Sequence, residues 1–268
     1  MPINPRVALR KTISRLTSKE NGMAASTTTL TPATELAAKN KSHFPNESPQ
    51  YRQARNTLLT EEIELRRHIE RVAALRRALP SGGTVPEDYI LESEKGLIRL
   101  SDLFGDKQTL IIYSMMFGPQ RERPCPMCTS FLSSWDGTTR NLRERVALAV
   151  FARSPIQRLL DFKKERSWQN LQMYSDGKGD YTRTYVSADD ADVPGLNVFT
   201  RRDGTIRHFW AGEMSGEMAD PGQDPRGAPE VDLLWAFLDL TPEGRAPDWY
   251  PKLEYTPVPP EKYLTNIK

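Results

Sequence analysis

The chain has 268 residues and very little cysteine, with only Cys125 and Cys128, three positions apart. A disulfide between them would close a very short loop and could not link distant parts of the chain. The disulfide framework of small secreted domains is therefore excluded. A cysteine pair of this kind fits a reducing compartment, and we expect a cytoplasmic protein.

Histidine is scarce as well, and this limits the metal sites that the chain can form. The histidines are His43, His68 and His208, of which the first two precede the predicted domain. Because a structural zinc site needs four ligands, the only zinc site left is a four-cysteine site shared by two chains. We therefore predict no metal ion.

An excess of charge is also missing, since 37 Lys and Arg stand against 35 Asp and Glu, a formal net charge of +2. This balance gives no electrostatic reason for a nucleic acid or a membrane surface as a partner.

No run of about 18 apolar residues occurs, so we expect a soluble protein without a membrane-spanning helix. No Gly-x-Gly-x-x-Gly follows a predicted strand, and we predict no cofactor.

The first 47 residues contain few large apolar side chains, which predicts a disordered N-terminal tail over residues 1–47. Residues 1–19 hold Arg and Lys but no acid, a composition shared with mitochondrial transit peptides. A presequence over residues 1–22 would make the protein mitochondrial. The other interpretation is that translation starts at Met23.

Residues 48–80 have the pattern of a long amphipathic helical arm. Ser48 and Pro49 provide an N-cap and a first-turn proline, and Pro80 ends the pattern. Arginines alternate with glutamates on its polar face, so we interpret that face as solvated. The arm is the surface on which we expect a partner or a second copy of the chain. The apolar residues recur at helical spacing and are Leu65, Ile69, Val72, Leu75 and Leu79.

Residues 84–245 alternate between strand and helix patterns, which predicts one α/β domain with a parallel sheet and packed helices. The final residues, 246–268, are proline-dense and predict an extended tail. The predicted strands are a pair around a turn at residues 93–96, and runs at 109–117, 146–152 and 171–175.

The connections between these strands are predicted from caps and turns. A helix over residues 154–168 begins with Ser154 as its cap and Pro155 at its first position. Residues 176–192 are polar and are interpreted as a surface loop. The domain ends with a hairpin whose turn is at residues 202–204, and with a helix between residues 229 and 242.

The cysteine pair lies where the buried strand over residues 109–117 gives way to a helix. Backbone N–H groups and the helix dipole at an N-terminus favour a thiolate at Cys125. Cys128 lies one turn further on the same helical face and could attack a mixed disulfide formed by Cys125. Pro126 is tolerated in a first helical turn. Inert buried cysteines are the alternative, but this placement favours a redox dithiol.

These segments carry a family resemblance. Residues 96–114 resemble the opening of the peroxiredoxin branch of thioredoxin-like proteins. The segments MFGPQRERPCPMCTSFLSSWDG, residues 116–137, and DLTPEGRAPDWY, residues 239–250, resemble the DUF899 family. The resemblance covers about residues 48–255. It implies a thioredoxin-like central mixed sheet flanked by helices, here with an N-terminal helical arm.

The resemblance also implies a dithiol-disulfide oxidoreductase acting on protein or small-molecule disulfides. Cys125 would be the nucleophile and Cys128 the resolving thiol. Pro194 occupies the position of a cis-proline that faces the dithiol in such folds, although its isomer cannot be read from sequence. The alternative function is a thioredoxin-fold interaction or redox-sensing module without turnover.

The chain departs from two related motifs. Its dithiol reads Cys-Pro-Met-Cys rather than the Cys-Gly-Pro-Cys of thioredoxin, so reduction, oxidation and isomerisation all remain open. The Pro-x-x-x-Thr/Ser-x-x-Cys motif of a peroxide site is absent, since Gly118 and Glu122 occupy its first and fifth positions. Peroxidase chemistry is therefore disfavoured.

Overall fold

The computed structural model describes residues 30–187, 192–213, 216–218, 231–244 and 249–254. The chain divides into two compact units, residues 1–74 and 75–268. The first unit contains a short helix, α1 (Ala33–Ala37), and most of a long helix, α2 (Pro49–Arg77). The predicted disordered tail over residues 1–47 thus includes a helix. Residues 1–29, which contain the alternative presequence over residues 1–22, lie outside the described residues.

Helix α2 begins as predicted, since the Ser48 hydroxyl oxygen accepts a hydrogen bond from the Tyr51 N–H at 3.1 Å. None of its 29 residues is buried. An isolated helix gains little stability without packing of its apolar face. Several of the apolar side chains of α2 are exposed, among them Leu58, Leu65 and Leu75.

The second unit is built on one seven-stranded sheet. Its strands are β1 (Ile90–Ser93), β2 (Gly96–Arg99), β3 (Thr109–Ser114), β4 (Ala147–Ala152), β5 (Met173–Ser175), β6 (Gly195–Arg202) and β7 (Thr205–Ala211). Their order across the sheet is β2-β1-β5-β4-β3-β6-β7. Strands β3, β4 and β5 are parallel, whereas β6 and β7 continue the sheet in antiparallel fashion. The predicted central mixed sheet is confirmed.

Helices cover both faces of this sheet, and each face has its own apolar core. Helices α3 (Pro126–Leu142) and α4 (Ile156–Glu165) pack on one face through side chains such as Leu132 and Leu159. A 3₁₀ turn and helix α5 (Asp180–Tyr185) cover the other. Apolar burial on both faces explains why the central strands read as continuous apolar runs.

The interpretation of residues 176–192 as a surface loop was wrong, because α5 lies within this segment. Its Tyr181 is fully buried, with its ring 4.8 Å from that of Phe151. A six-residue helix spans fewer than two turns, which is too short to show a helical repeat of apolar residues. With only one buried aromatic among polar neighbours, the segment therefore resembled a loop. Residues 188–191 lie outside the described part.

Two other helix boundaries differ from the prediction. Ser154 is not the cap of α4: Pro155 holds that position, and Ser154 Oγ instead accepts from Arg158 at 3.3 Å. The last helix, α6 (Leu233–Leu238), is capped by Asp232, which accepts from the Leu234 N–H at 3.2 Å. Its predicted start at residues 229–230 falls outside the described residues.

The segment after Pro80 lies against the edge of the sheet. The His208 N–H donates to the Gly83 carbonyl at 2.9 Å, and the Val85 N–H donates to the Ile206 carbonyl at 3.0 Å. A Cβ atom on Gly82 would lie 1.7 Å from the His208 carbonyl oxygen. Only glycine lets the two backbones approach this closely.

Replacing Gly82 by alanine is expected to lower the free energy of unfolding by about 1–3 kcal/mol, because the backbone of β7 must move away. Urea unfolding would measure the change. Gly83→Ala is the matched control, since nothing lies within 4 Å of a Cβ there. Equal stability of the two variants would contradict the close contact at Gly82.

Candidate active site

Cys125 is the N-cap residue of α3, with Pro126 at the first helical position, as the sequence predicted. The chain reaches it from β3 through a short segment that stays bound to the sheet. The Met115 N–H donates to the Phe151 carbonyl at 2.8 Å, and the Cys125 N–H donates to the Met116 carbonyl at 3.0 Å. The cysteine is thereby fixed at the carboxyl end of a central strand.

Both cysteines are free thiols, but their environments differ. Cys125 is partly exposed, whereas Cys128 is only 2% exposed. The Cys128 thiol donates a hydrogen bond to Cys125 and is the main reason why the pKa of Cys125 falls from 9.0 to about 6. Partial burial opposes this fall, while the N–H groups of Cys128 and Met127 and the charge of Arg121 support it.

The same hydrogen bond raises the pKa of Cys128 well above its ordinary value, and burial raises it further. The pair therefore shares a single proton over a wide range of pH. Near neutrality Cys125 is mainly a thiolate, and Cys128 is a protonated thiol inside the protein.

Tyr113 is a third member of the site that the sequence analysis missed. Its hydroxyl donates to Cys128 Sγ at 3.3 Å. The residue is buried, and burial raises its pKa well above the ordinary value, so it remains a donor. Alternation along β3 could have revealed it, because Tyr113 lies on the face that packs against α3.

The loop before Cys125 is held by arginines. Arg158 donates to the Glu122 carbonyl at 2.6 Å, and its guanidinium lies 4.4 Å from the centre of the Phe117 ring. Arg123 pairs with Glu165, donating at 2.8 Å. Arg121 and Arg123 flank the Cys-x-x-Cys motif. Of these two, Arg121 helps to lower the pKa of Cys125 through its positive charge.

Asp192 joins this loop to the segment that carries Pro194. It pairs with Arg121 and accepts from the Gly118 N–H at 3.3 Å. Pro194 is exposed and immediately precedes Gly195, which pairs with Ser114 at the end of β3. The peptide bonds of the described residues include no cis bond, so Pro194 is trans. Its role opposite the dithiol stays a prediction.

No group of three or more His, Cys, Asp or Glu in the described ranges could hold a metal ion. His208 instead pairs its Nε2 with Asn197 Oδ1 at 2.9 Å, and burial lowers its pKa.

None of the helices that the structure describes has both the length and the apolar character needed to span a membrane.

The chain matches the DUF899 family, described as bacterial protein of unknown function, over residues 41–256. No curated protein matches it.

Among solved structures, the chain is similar to a peroxidoxin, BcpB, from Mycobacterium tuberculosis. The two are 16% identical, the match covers 58% of this chain and 95% of the other, and the TM-score is 0.40. A PrxQ mutant from Xylella fastidiosa is 13% identical, with 59% and 97% covered and a TM-score of 0.38. An exposed lipoprotein thioredoxin from Streptococcus pneumoniae is 15% identical, with 55% and 99% covered and a TM-score of 0.36.

Proposed function

The chain belongs to the DUF899 family, and from the geometry of its site we propose that it is a thiol-disulfide oxidoreductase. One observation carries this proposal: a buried Cys128 thiol donates to a partly exposed Cys125, whose pKa falls to about 6. An inert structural pair would need no such asymmetry. A nucleophile at the surface and a protonated thiol behind it are the two groups that disulfide exchange requires.

In the reductive direction, the Cys125 thiolate attacks one sulfur of a substrate disulfide. The substrate S–S bond breaks, a mixed disulfide forms, and the other substrate sulfur leaves as a thiolate that takes up a proton. Cys128 then loses its proton and attacks Cys125 Sγ, which releases the second substrate thiolate. The protein gives up two electrons and keeps a Cys125–Cys128 disulfide, and the reverse sequence oxidises a substrate dithiol.

Tyr113 supports the second step of this sequence. The pKa of Cys128 is raised mainly because its thiol donates a hydrogen bond to the Cys125 thiolate, with burial as the next cause, and this thiolate acceptor disappears when the mixed disulfide forms. The Tyr113 hydroxyl then donates to the sulfur that must become a thiolate. We therefore assign Tyr113 a positioning role for Cys128.

The substrates proposed are protein or small-molecule disulfides that bind beside the partly exposed Cys125. Pro194 would offer its neighbouring backbone to such a substrate, and the contact of Asp192 with Gly118 keeps that segment near the cysteine loop. A reducing compartment such as the cytoplasm would return the disulfide to the dithiol after each turnover.

A glutathione redox series tests the proposal. The protein is equilibrated at each ratio of reduced to oxidised glutathione, its free thiols are alkylated, and its intact mass is measured. We expect both alkyl groups to disappear together at one midpoint, because the oxidised product is a disulfide within the pair.

The Cys128→Ser variant is the control for this experiment, since it can form only a mixed disulfide with glutathione at Cys125. Thiols that stay fully alkylated across the series would reject the redox function. An interaction module without thiol chemistry would then be the better interpretation.

A further inference from the structure

A groove of about 660 Å³ opens on the sheet far from the dithiol. It includes Thr109, the first residue of β3, whereas Cys125 is held near the other end of that strand by its hydrogen bond to the Met116 carbonyl. Six extended residues span about 17 Å, so the two places are distinct. A volume of this size is in the range of small-molecule sites.

Strand pairing places one row of hydrogen-bond donors across the groove. Thr109 pairs with Thr200, and Thr200 pairs with Arg207 on the next strand. Paired residues in a sheet point to the same face, so these three side chains stand side by side. Arg202, two residues further along β6, is on the same face.

The other part of the groove is apolar. Leu79, Val198 and Phe209 contribute to its lining, and Val198 is paired with Trp210 on the adjacent strand. The surface thus passes from an apolar part to a basic part within a single groove. Such a surface suits a molecule that has hydrocarbon at one end and an anion at the other.

The charges of the groove are not balanced. Arg202 and Arg207 occupy diagonal positions on one hairpin face, where like charges are destabilising. Neither forms an ion pair with any carboxylate that the structure describes, and Asp203 is the only acidic residue of the described lining. This contrasts with Arg52, Arg121 and Arg123, which all have carboxylate partners.

The wall of the groove is already ordered by the main chain. Arg207 Nη1 donates to the Gly82 carbonyl at 3.1 Å, and the segment that follows Gly82 is hydrogen-bonded to β7. One guanidinium edge of Arg207 is thereby oriented by the backbone. A site whose donors are ordered before binding loses less entropy when the ligand arrives.

We propose that this groove binds a small amphiphilic anion. Arg202, Arg207 and the hydroxyl group of Thr200 hold its carboxylate or phosphate group, and the hydrocarbon part lies on Val198 and Phe209. An anion there relieves the repulsion between the two arginines. This binding function is independent of the dithiol and goes beyond the proposed oxidoreductase.

Isothermal titration of the full chain with octyl phosphate, octanoate and octanol tests the proposal. We expect saturable one-to-one binding of at least one anion and much weaker binding of the alcohol. The tighter of the two anions identifies the preferred head group. Arg202→Gln is expected to weaken anion binding by about tenfold or more, the usual effect of losing a hydrogen bond to a charged group.

Arg202 is exposed, so its replacement should not disturb folding, and Thr200→Val provides a second variant that removes only a hydroxyl donor. Arg145→Gln is the matched control, because Arg145 is an exposed arginine outside the groove. The proposal is overturned if neither anion binds at millimolar concentration, if octanol binds equally well, or if Arg202→Gln binds like Arg145→Gln. Binding to anionic lipid vesicles alone would also overturn it, in favour of a membrane surface.

Discussion

Cys125→Ser is expected to reduce disulfide reduction to the uncatalysed rate, whereas Cys128→Ser should accumulate a mixed disulfide between the substrate and Cys125. The first variant loses the partly exposed thiol, and the remaining thiol, Cys128, is buried and has a raised pKa. The second variant keeps a nucleophile but has no sulfur to complete the exchange. Release of a chromophoric aryl thiolate measures turnover, and intact mass identifies the adduct.

Ser130→Ala is a suitable control for these variants, because Ser130 is a half-buried residue of the same helix. It should retain both activities of the parent protein. Full turnover by Cys125→Ser would contradict the assignment of the nucleophile. Release of the adduct by Cys128→Ser at the parental rate would contradict the assignment of the resolving thiol.

The position of the dithiol could be predicted from sequence because its signals are local. An apolar run, a cysteine and a proline within a few positions are sufficient to place Cys125 at a helix N-cap, and the structure confirms this. The hairpin turn at Asp203–Gly204 and the start of α2 after Ser48 were equally local. Such features depend on turn and cap chemistry within about four residues.

The features that sequence reasoning missed depend on distant pairs. Asp192 meets Arg121 across 71 positions, and Tyr113 meets Cys128 only because α3 folds back onto β3. The alternation of β3 shows on which face Tyr113 lies but not which residue it meets, and Asp192 leaves no periodic signal. The arm over residues 48–80 remains a predicted binding surface for a partner or a second copy, with its apolar residues exposed at positions such as Leu58 and Leu65.

Alkylation of Cys125 by iodoacetamide is expected to rise with a midpoint near pH 6, since only the thiolate reacts. Cys128→Ala removes the main donor to Cys125 and should move this midpoint upward, toward the ordinary value of 9.0. Cys128→Ser is the matched comparison because its hydroxyl can still donate, so its midpoint should shift less. Equal midpoints in the alanine variant and the parent would show that Cys128 does not control the thiolate.

The lowered pKa also predicts how the stability of the reduced protein depends on pH. Between pH 6 and 9 the folded pair has lost one proton that the unfolded chain still holds, so the free energy of unfolding should rise with pH. Above pH 9 the raised pKa of Cys128 has the opposite sign: the unfolded chain loses a proton that the folded protein keeps, and stability falls. The oxidised protein has no thiols and should lack both effects, so urea unfolding of the two forms across this range isolates the contribution of the pair. Identical pH profiles for the reduced and oxidised forms would mean that folding does not change the protonation of the pair.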